Sequence, residues 1–458
     1  MADELTSNSA TDLTQLIKTG AVSSVEIVEA YLKRIAEINP ELNAIVTIGP
    51  DVLQRARAKD NEMASGNIAG PLHGLPITIK DTIDTAGIRT TYGSRLFAEH
   101  VPREDAAVVA RLKAAGAIVL GKTNVPEMAI PYETDNLVFG RTNNPHDPAR
   151  TAGGSSGGEA AAIAVKLSPA GVGSDLSGSL RVPAHFCGIA ALKPTTGAIP
   201  MTGHVPGATG TLSLGACVGP MADCVEDLAL LFSAMAPKSD AVSRQRADVG
   251  SGRVAWFTDD GRAPVDQGVL KAIERVTEIL KDAGHDVRNE RPPGFSEGQR
   301  LWIALFSRAA SEQIRQVYKG HEHEAGPLVS SMLKPNDEPT LREKVESAEA
   351  VAKAVLERER WREELLRWMR TTPLIVSPVS ASAAFEHGAP RVDVGRESVS
   401  IFRSCSYSQT VNVFGLPAVV VPVARTAKGL PIGVQIIGRP FQESEVLAAA
   451  TIIEHSAG

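Results

Sequence analysis

Cysteine is scarce in this chain: Cys187, Cys217, Cys224 and Cys405 are the only four in 458 residues, and none are spaced as CxxC. That excludes a disulfide framework and favours buried thiols in a reducing compartment. Aromatic residues make up 4%, which gives no handle on recognition of aryl groups. Positive charge is not in excess, with 47 Lys and Arg against 53 Asp and Glu and a net charge of −6. The electrostatic footprint of a nucleic-acid-binding protein is therefore missing. No apolar run reaches the roughly 20 residues needed to span a bilayer. The start, Met1-Ala2-Asp3-Glu4, is acidic and polar rather than basic and then apolar, as a secretory signal would be. The expectation is a cytoplasmic protein with neither a membrane nor nucleic acid as partner. Internal repeats and low-complexity tracts are also lacking.

What is present suits a large folded enzyme. A hydrophobic content of 43% and a charged content of 22% are ordinary for a chain with a sizeable core. The 40 glycines and 29 prolines fit many turns between short elements. Length alone suggests two or three domains, though α/β enzymes of this size also fold as one unit. Apolar spacing predicts two helices over 11–38 with Pro40 ending the second, and helices over 52–64, 106–115, 159–165 and 269–283. Strands are expected over 43–48, 117–120, 254–257, 374–376, 418–423 and 434–437, and in the apolar run that leads to Lys80. The polar stretch 239–252 reads as a surface connection. Thr340 and Glu343 read as a capping box opening a charged helix to about 369, with Leu341, Val345, Ala348, Ala352 and Val355 on its core face. Helices alternating with strands imply an α/β fold.

Chemistry concentrates in three places. One is the run Gly153-Gly154-Ser155-Ser156-Gly157-Gly158. The second is the small-residue turn from Ser174 to Ala184, which holds Asp175, Ser179 and Arg181. The third is Lys80, which closes Leu75-Pro76-Ile77-Thr78-Ile79. A serine hydroxyl needs a neighbouring base to act as a nucleophile. A lysine, with a reference pKa of about 10.4, becomes such a base when burial lowers that value by up to roughly 3–5 units. Ile77 and Ile79 offer apolar surroundings, while Asp81 next in sequence favours the charged form. Ser155 is placed to pass a proton between Lys80 and Ser179. The backbone N–H groups of Leu176, Ser177, Gly178 and Ser179 form a nest suited to an oxyanion.

These residues closely resemble the amidase signature family of serine hydrolases, with its Ser-Ser-Lys triad. The glycine/serine run, the Gly-x-Asp-x-Gly-Gly-Ser-Ile-Arg-x-Pro turn and the upstream lysine recur here in the family's order and spacing. The likeness continues through Gly121 to Glu127, Asn143 to Pro148, Ala191 to Thr195, Gly219 to Ala222, Gly415 to Ala418 and Gly429 to Gln435. The resemblance implies a single large domain over 1–458, a mixed β-sheet flanked by helices on both faces, and a variable substrate-shaping region at about 240–400. It implies Lys80 as base, Ser155 as relay after a cis peptide bond from Gly154, and Ser179 as the nucleophile that carries the acyl group. Ser156, Asp175 and Arg181 support the site, the last two as an ion pair. Met128, Ala129, Ile130 and Tyr132 fall in the segment that lines the acyl pocket. The expected reaction is hydrolysis of a carboxylic amide, a small molecule, with no metal and no organic cofactor. One departure is Ser177, where the family has Gly or Ala. It raises the alternative of a catalytically silent binding protein. A glutamine-hydrolysing amidotransferase subunit with partner subunits is the other alternative, and the oligomeric state, a homodimer included, stays open.

Other motifs carry less. Gly116 to Thr123 matches a phosphate-loop pattern, but its intervening residues are all apolar and read as a strand. Gly153-x-Ser155-x-Gly157 matches the hydrolase elbow, yet a Pro/Asn/Asp-rich loop is expected before it where that motif needs a strand. His321-Glu322-His323-Glu324 reads as a solvated segment rather than a metal site. His73, His185 and His204 read as hydrogen-bonding residues, not bases.

Overall fold

Eleven strands form one mixed sheet in the computed structural model, which describes residues 2–236, 252–333 and 348–457. Across the sheet the order is Ile45–Ile48, Ile118–Thr123, Pro76–Lys80, Ala170–Asp175, Cys217–Ala222, Ala190–Lys193, Ala418–Arg425, Pro431–Ile437, Leu374–Pro378, Arg253–Trp256 and Asp286–Asn289. The expected α/β class and mixed sheet are thus observed. The central strands are buried along their whole length, as in Pro76–Lys80, Ala170–Asp175 and Pro431–Ile437. Such strands read as continuous apolar or small-residue runs because both faces are covered.

One pairing positions the chemistry. Pro76–Lys80 runs parallel to Ala170–Asp175, with Thr78 opposite Gly171 and Ile79 opposite Val172. That register brings the two carboxyl ends out together, so Lys80 emerges beside Ser174 and Asp175. The turn leaving Ala170–Asp175 feeds the short helix Arg181–Cys187, and the serine run opens Gly157–Ala164, the helix that precedes that strand. The carboxyl ends of parallel strands are where α/β folds ordinarily bind ligands.

Several local expectations are corrected. Pro40 does not end its helix, which runs over Ser24–Leu42 and closes at Asn43 in the left-handed region. Proline in the last turn removes one N–H but leaves two more residues to continue, and the Asn43 N–H reaches Asn39 O at 2.7 Å. The segment expected as a loop before Gly153 contains a small hairpin of Asn143–Asn144 and Asp147–Thr151. The capping box at Thr340 and Glu343 and most of the polar stretch 239–252 lie outside the described residues. The helix Ala348–Trp368 buries Ala354, Arg358 and Leu365, while Ala348 and Ala352 are exposed. An arginine turns inward because it meets carbonyls that lack partners at a helix end. Arg358 Nε donates to Val413 O at 2.5 Å and Arg362 Nε to Phe414 O at 3.1 Å, both at the close of Ser406–Phe414.

Candidate active site

The glycine/serine run is gripped from outside. Thr134 donates to Gly153 O at 2.9 Å and accepts from the Gly157 N–H at 3.2 Å. A Cβ on Gly154 would lie 2.6 Å from Pro131 O and 2.7 Å from Glu133 N, so only glycine lets the run approach that neighbouring backbone. The peptide bond from Gly154 to Ser155 is cis, as the resemblance implied. Ser155, 1% exposed, lies against Lys80, which is fully buried. Lys80 Nζ lies 2.7 Å from Ser155 Oγ and 2.9 Å from Ser174 Oγ.

Burial lowers the Lys80 amine to about 7, against opposing pulls from Asp175 and Glu159. Asp81, the carboxylate next in sequence, points elsewhere. It accepts from the Thr91 N–H at 3.0 Å and the Thr91 hydroxyl at 2.6 Å; burial raises its carboxyl to about 6, against an opposing pull chiefly from Lys122. Glu159 is pushed up to about 7 by burial and is held by the hydroxyls of Thr78 and Thr123. Lys122, in the phosphate-loop look-alike, is a buried strand residue bonded to Ile83 O and Thr85 Oγ1.

The turn after Ala170–Asp175 is built on an ion pair. Arg181 Nε and Nη2 each donate to Asp175 at 3.0 Å, and both side chains are fully buried. Arg181 also donates to Gln435 Oε1, Ser408 O and Asn412 Oδ1 at 2.8, 2.9 and 2.6 Å. Burial acts to raise the Asp175 carboxyl, but Arg181, with Lys193 and Asn412, holds it well below the usual carboxylate range. Asp175 reaches further into the turn, accepting from the N–H of Gly178 at 2.8 Å and of Leu180 at 3.1 Å.

This corrects the expected nest. The Gly178 N–H belongs to Asp175 and is not free for an oxyanion. Leu176, Ser177 and Ser179 line the cavity, and no acceptor takes their N–H groups among the described residues. Their carbonyls are drawn away from them: Trp302 Nε1 donates to Leu176 O and the Tyr132 hydroxyl to Ser177 O, each at 2.8 Å. Ser177 keeps a negative φ, so its side chain imposes no left-handed strain, whereas Gly178 sits at φ +111°. Gly178→Ala adds a Cβ 2.7 Å from the Ser408 Cβ at that angle. The expected outcome is a loss of about 1–3 kcal/mol, checked by denaturant unfolding. Ser156 is buried and lies beside Ser174, its Oγ 3.3 Å from Ser174 O.

Ser179 is 7% exposed and shares with Ser155 the wall of a cavity of about 870 Å³. The Ser156 N–H donates to Ser179 O at 3.2 Å, tying the serine run to the turn. Met128, Ala129, Ile130 and Tyr132 all line this cavity. The Tyr132 hydroxyl is consumed by Ser177 O and by Gln409 Nε2 at 2.9 Å, so the ring acts as wall. The opposite wall comes from 300–332 and 401–402, including the π-helical turn Ile303–Ser307.

Two contacting residues were missed by sequence reading as site members. Ser174 was visible only as part of the turn, and His204 lies 30 residues further on yet touches it at 2.8 Å. His73 and His185 are hydrogen-bonding residues, as expected, to 59–69 and to Gly433 and Ser382. In the segment His321 to Glu324, Glu322–Glu324 forms a one-turn helix capped by His321, and both histidines are exposed. Ser155 has a lysine for its partner, not the histidine of a hydrolase elbow.

A buried lysine bonded to the serine of a glycine-rich run, on a mixed α/β sheet, defines a class, and sequence comparison agrees: the Amidase family profile matches residues 26–447, so this chain belongs to the amidase signature family of C–N hydrolases. Among curated relatives, the A subunit of glutamyl-tRNA(Gln) amidotransferase from Carboxydothermus hydrogenoformans is 33% identical over 482 residues, covering 98% of this chain and 97% of that protein. Its counterpart in Thermus thermophilus is 34% identical, covering 96% and 95%. A crystallised amidase superposes with a TM-score of 0.87 at 27% identity, covering 98% of this chain and 100% of its own. 6-Aminohexanoate cyclic dimer hydrolase does so at 0.83 and 27%, covering 98% and 97%. Among the described residues, no helix is long and apolar enough to cross a membrane.

Proposed function

We propose that the chain hydrolyses uncharged, largely apolar carboxylic amides through an acyl-enzyme on Ser179. The observation that carries this reading is the buried Lys80 amine, 2.7 Å from Ser155 Oγ and lowered to about 7 by its surroundings. Ser179 Oγ attacks the carbonyl carbon. Its proton passes to Ser155 Oγ, whose own proton passes to Lys80. The negative oxygen forms against the N–H groups of Leu176, Ser177 and Ser179. The proton returns along the same path to the leaving nitrogen as the C–N bond breaks, and water then releases the carboxylate by the same steps. Among the described residues Ser155 Oγ bonds Lys80 and not Ser179 Oγ; the relay requires the second bond to form when substrate fills the cavity, as catalytic hydrogen bonds often do.

The cavity lining supports the substrate class. Its charged side chains, among the described residues, are Asp175 and Arg300. Asp175 is spent on Arg181, and Arg300 on Glu297 and Glu357. The α-ammonium and α-carboxylate of an amino acid would lose water there without gaining a partner, which is costly. The remaining wall combines apolar side chains such as Met128, Leu176, Trp302 and Phe402 with uncharged polar ones such as Ser307, Gln313 and Ser331. The segment between about 240 and 400 supplies much of it, in keeping with a substrate-shaping role. The relatives of about 33% identity support the other reading, a glutamine-hydrolysing component of a larger assembly. Turnover by the lone chain separates the two: the isolated chain is expected to cleave hexanoyl p-nitroanilide without any partner, whereas a chain inactive on it alone favours the other reading.

Ser179→Ala is expected to reduce that cleavage by on the order of 10⁶ with unchanged thermal unfolding. A fluorophosphonate probe is expected on the tryptic peptide containing Ser179. Persistent turnover in the variant, or labelling of a different serine, contradicts the assignment.

A further inference from the structure

His204 is seated on the chain that follows Lys80. The Asp84 N–H donates to Gly203 O at 2.8 Å and the Val205 N–H to Thr82 O at 2.9 Å, so His204 is bridged to Ile83. Its ring then reaches the site. Nδ1 lies 2.8 Å from Pro206 O, and Nε2 lies 2.8 Å from Ser174 Oγ and 3.1 Å from Thr82 Oγ1. A carbonyl only accepts, so Nδ1 carries the ring proton. Burial, helped by the neighbouring Lys80, lowers the imidazole to about 4. Nε2 is therefore bare at neutral pH and accepts, with the Ser174 hydroxyl the nearer of its two donors and the Thr82 hydroxyl the other.

We propose that His204 is a positioning residue for the proton relay: it accepts the Ser174 hydroxyl proton and so keeps the lone pair of Lys80 for Ser155. The inference rests on the reading of Lys80 as base. Ser174 has one proton to give. With that proton on the side of His204, only lone pairs of Ser174 Oγ face Lys80 Nζ, 2.9 Å away. The uncharged amine then donates one N–H to Ser174 and turns its single lone pair to Ser155. Without His204, the Ser174 hydroxyl is free to bond that lone pair and occupy the base.

The test compares His204→Leu, His204→Gln, Ser174→Ala and the His204→Leu/Ser174→Ala double variant. It uses hexanoyl p-nitroanilide turnover and the rate of fluorophosphonate labelling, with Ser179→Ala run alongside. His204→Leu is expected to lower kcat and labelling rate by up to about 100-fold; His204 also lines the cavity, so the loss is read in kcat separately from any change in KM. Gln, whose Oε1 accepts from Ser174, is expected to recover most of the loss. In the Ser174→Ala background His204→Leu is expected to add nothing, since it acts only through that hydroxyl. Wild-type kcat in folded His204→Leu, losses that multiply in the double variant, or a folded Gln variant as slow as Leu each overturn the proposal. Should the Leu variant not fold, His204→Ala replaces it, and wild-type kcat there, or a further loss in the Ser174→Ala background, overturns the proposal equally. Activity surviving in Ser179→Ala would instead sink the underlying reaction.

Discussion

Lys80→Met is expected to slow amide turnover by about 10²–10⁴-fold, with the fold retained and the Ser179 hydroxyl still present. Methionine keeps the volume and apolar stem of lysine while removing the nitrogen bonded to Ser155 Oγ. The same residue sets the pH profile. The reactive form is the uncharged amine, and burial brings its pKa to about 7. The wild-type rate is therefore expected to climb as pH rises through about 7 and then level off, an acid limb visible in both kcat and fluorophosphonate labelling. Stability carries the same signature with a definite sign. The folded pKa of about 7 lies below the ordinary 10.5, so between those values the unfolded chain binds more protons and stability rises with pH. Lys80→Met loses its share of that slope, which denaturant unfolding at pH 7 and 10 measures.

Arg181→Leu is expected to be the most damaging single change to the fold. Arg181 is fully buried and donates to Asp175, Gln435, Ser408 and Asn412. Its removal leaves the Asp175 carboxylate buried and without its countercharge, a loss of about 3–5 kcal/mol. The turn that carries Ser179 hangs on that carboxylate through the Gly178 and Leu180 N–H groups, so activity falls with stability. The pH dependence identifies the cause. In the wild type the Asp175 carboxyl is depressed, so its contribution is present above about pH 4 and is lost as pH falls. The variant's penalty is therefore expected to shrink in acid, where Asp175 takes up a proton. Urea unfolding of both proteins at pH 7 and pH 3.5 measures it; a constant difference contradicts it.

How far the sequence could be read follows from which contacts are local. Strands such as Pro76–Lys80 and Pro431–Ile437 are long, buried and apolar, so periodicity finds them. The Asp175–Arg181 pair spans one turn, and the glycine run marks a close backbone approach, so both were legible, and the Lys80–Ser155 contact followed from resemblance. The Gly178 N–H was assigned to the wrong acceptor, because Asp175 curls back on its own turn in a way no spacing rule reveals. Ser174 and His204 escaped because their meeting depends on parallel strand register and on the 203–205 segment docking against 82–84. The inward turn of Arg358 depended on carbonyls at the end of a helix some fifty residues later. The far wall of the cavity, with its π-helical turn, has no sequence signal of its own.

The central claim is an amine without charge at the carboxyl end of a buried strand. Lysine side-chain NMR of ¹³C-labelled Ser179→Ala protein, with Lys80 assigned by the signal missing in a Ser179→Ala/Lys80→Met sample, measures it directly. The account predicts a titration midpoint near 7. A Lys80 signal that stays ammonium-like until about pH 10, as an unperturbed lysine does, would contradict it.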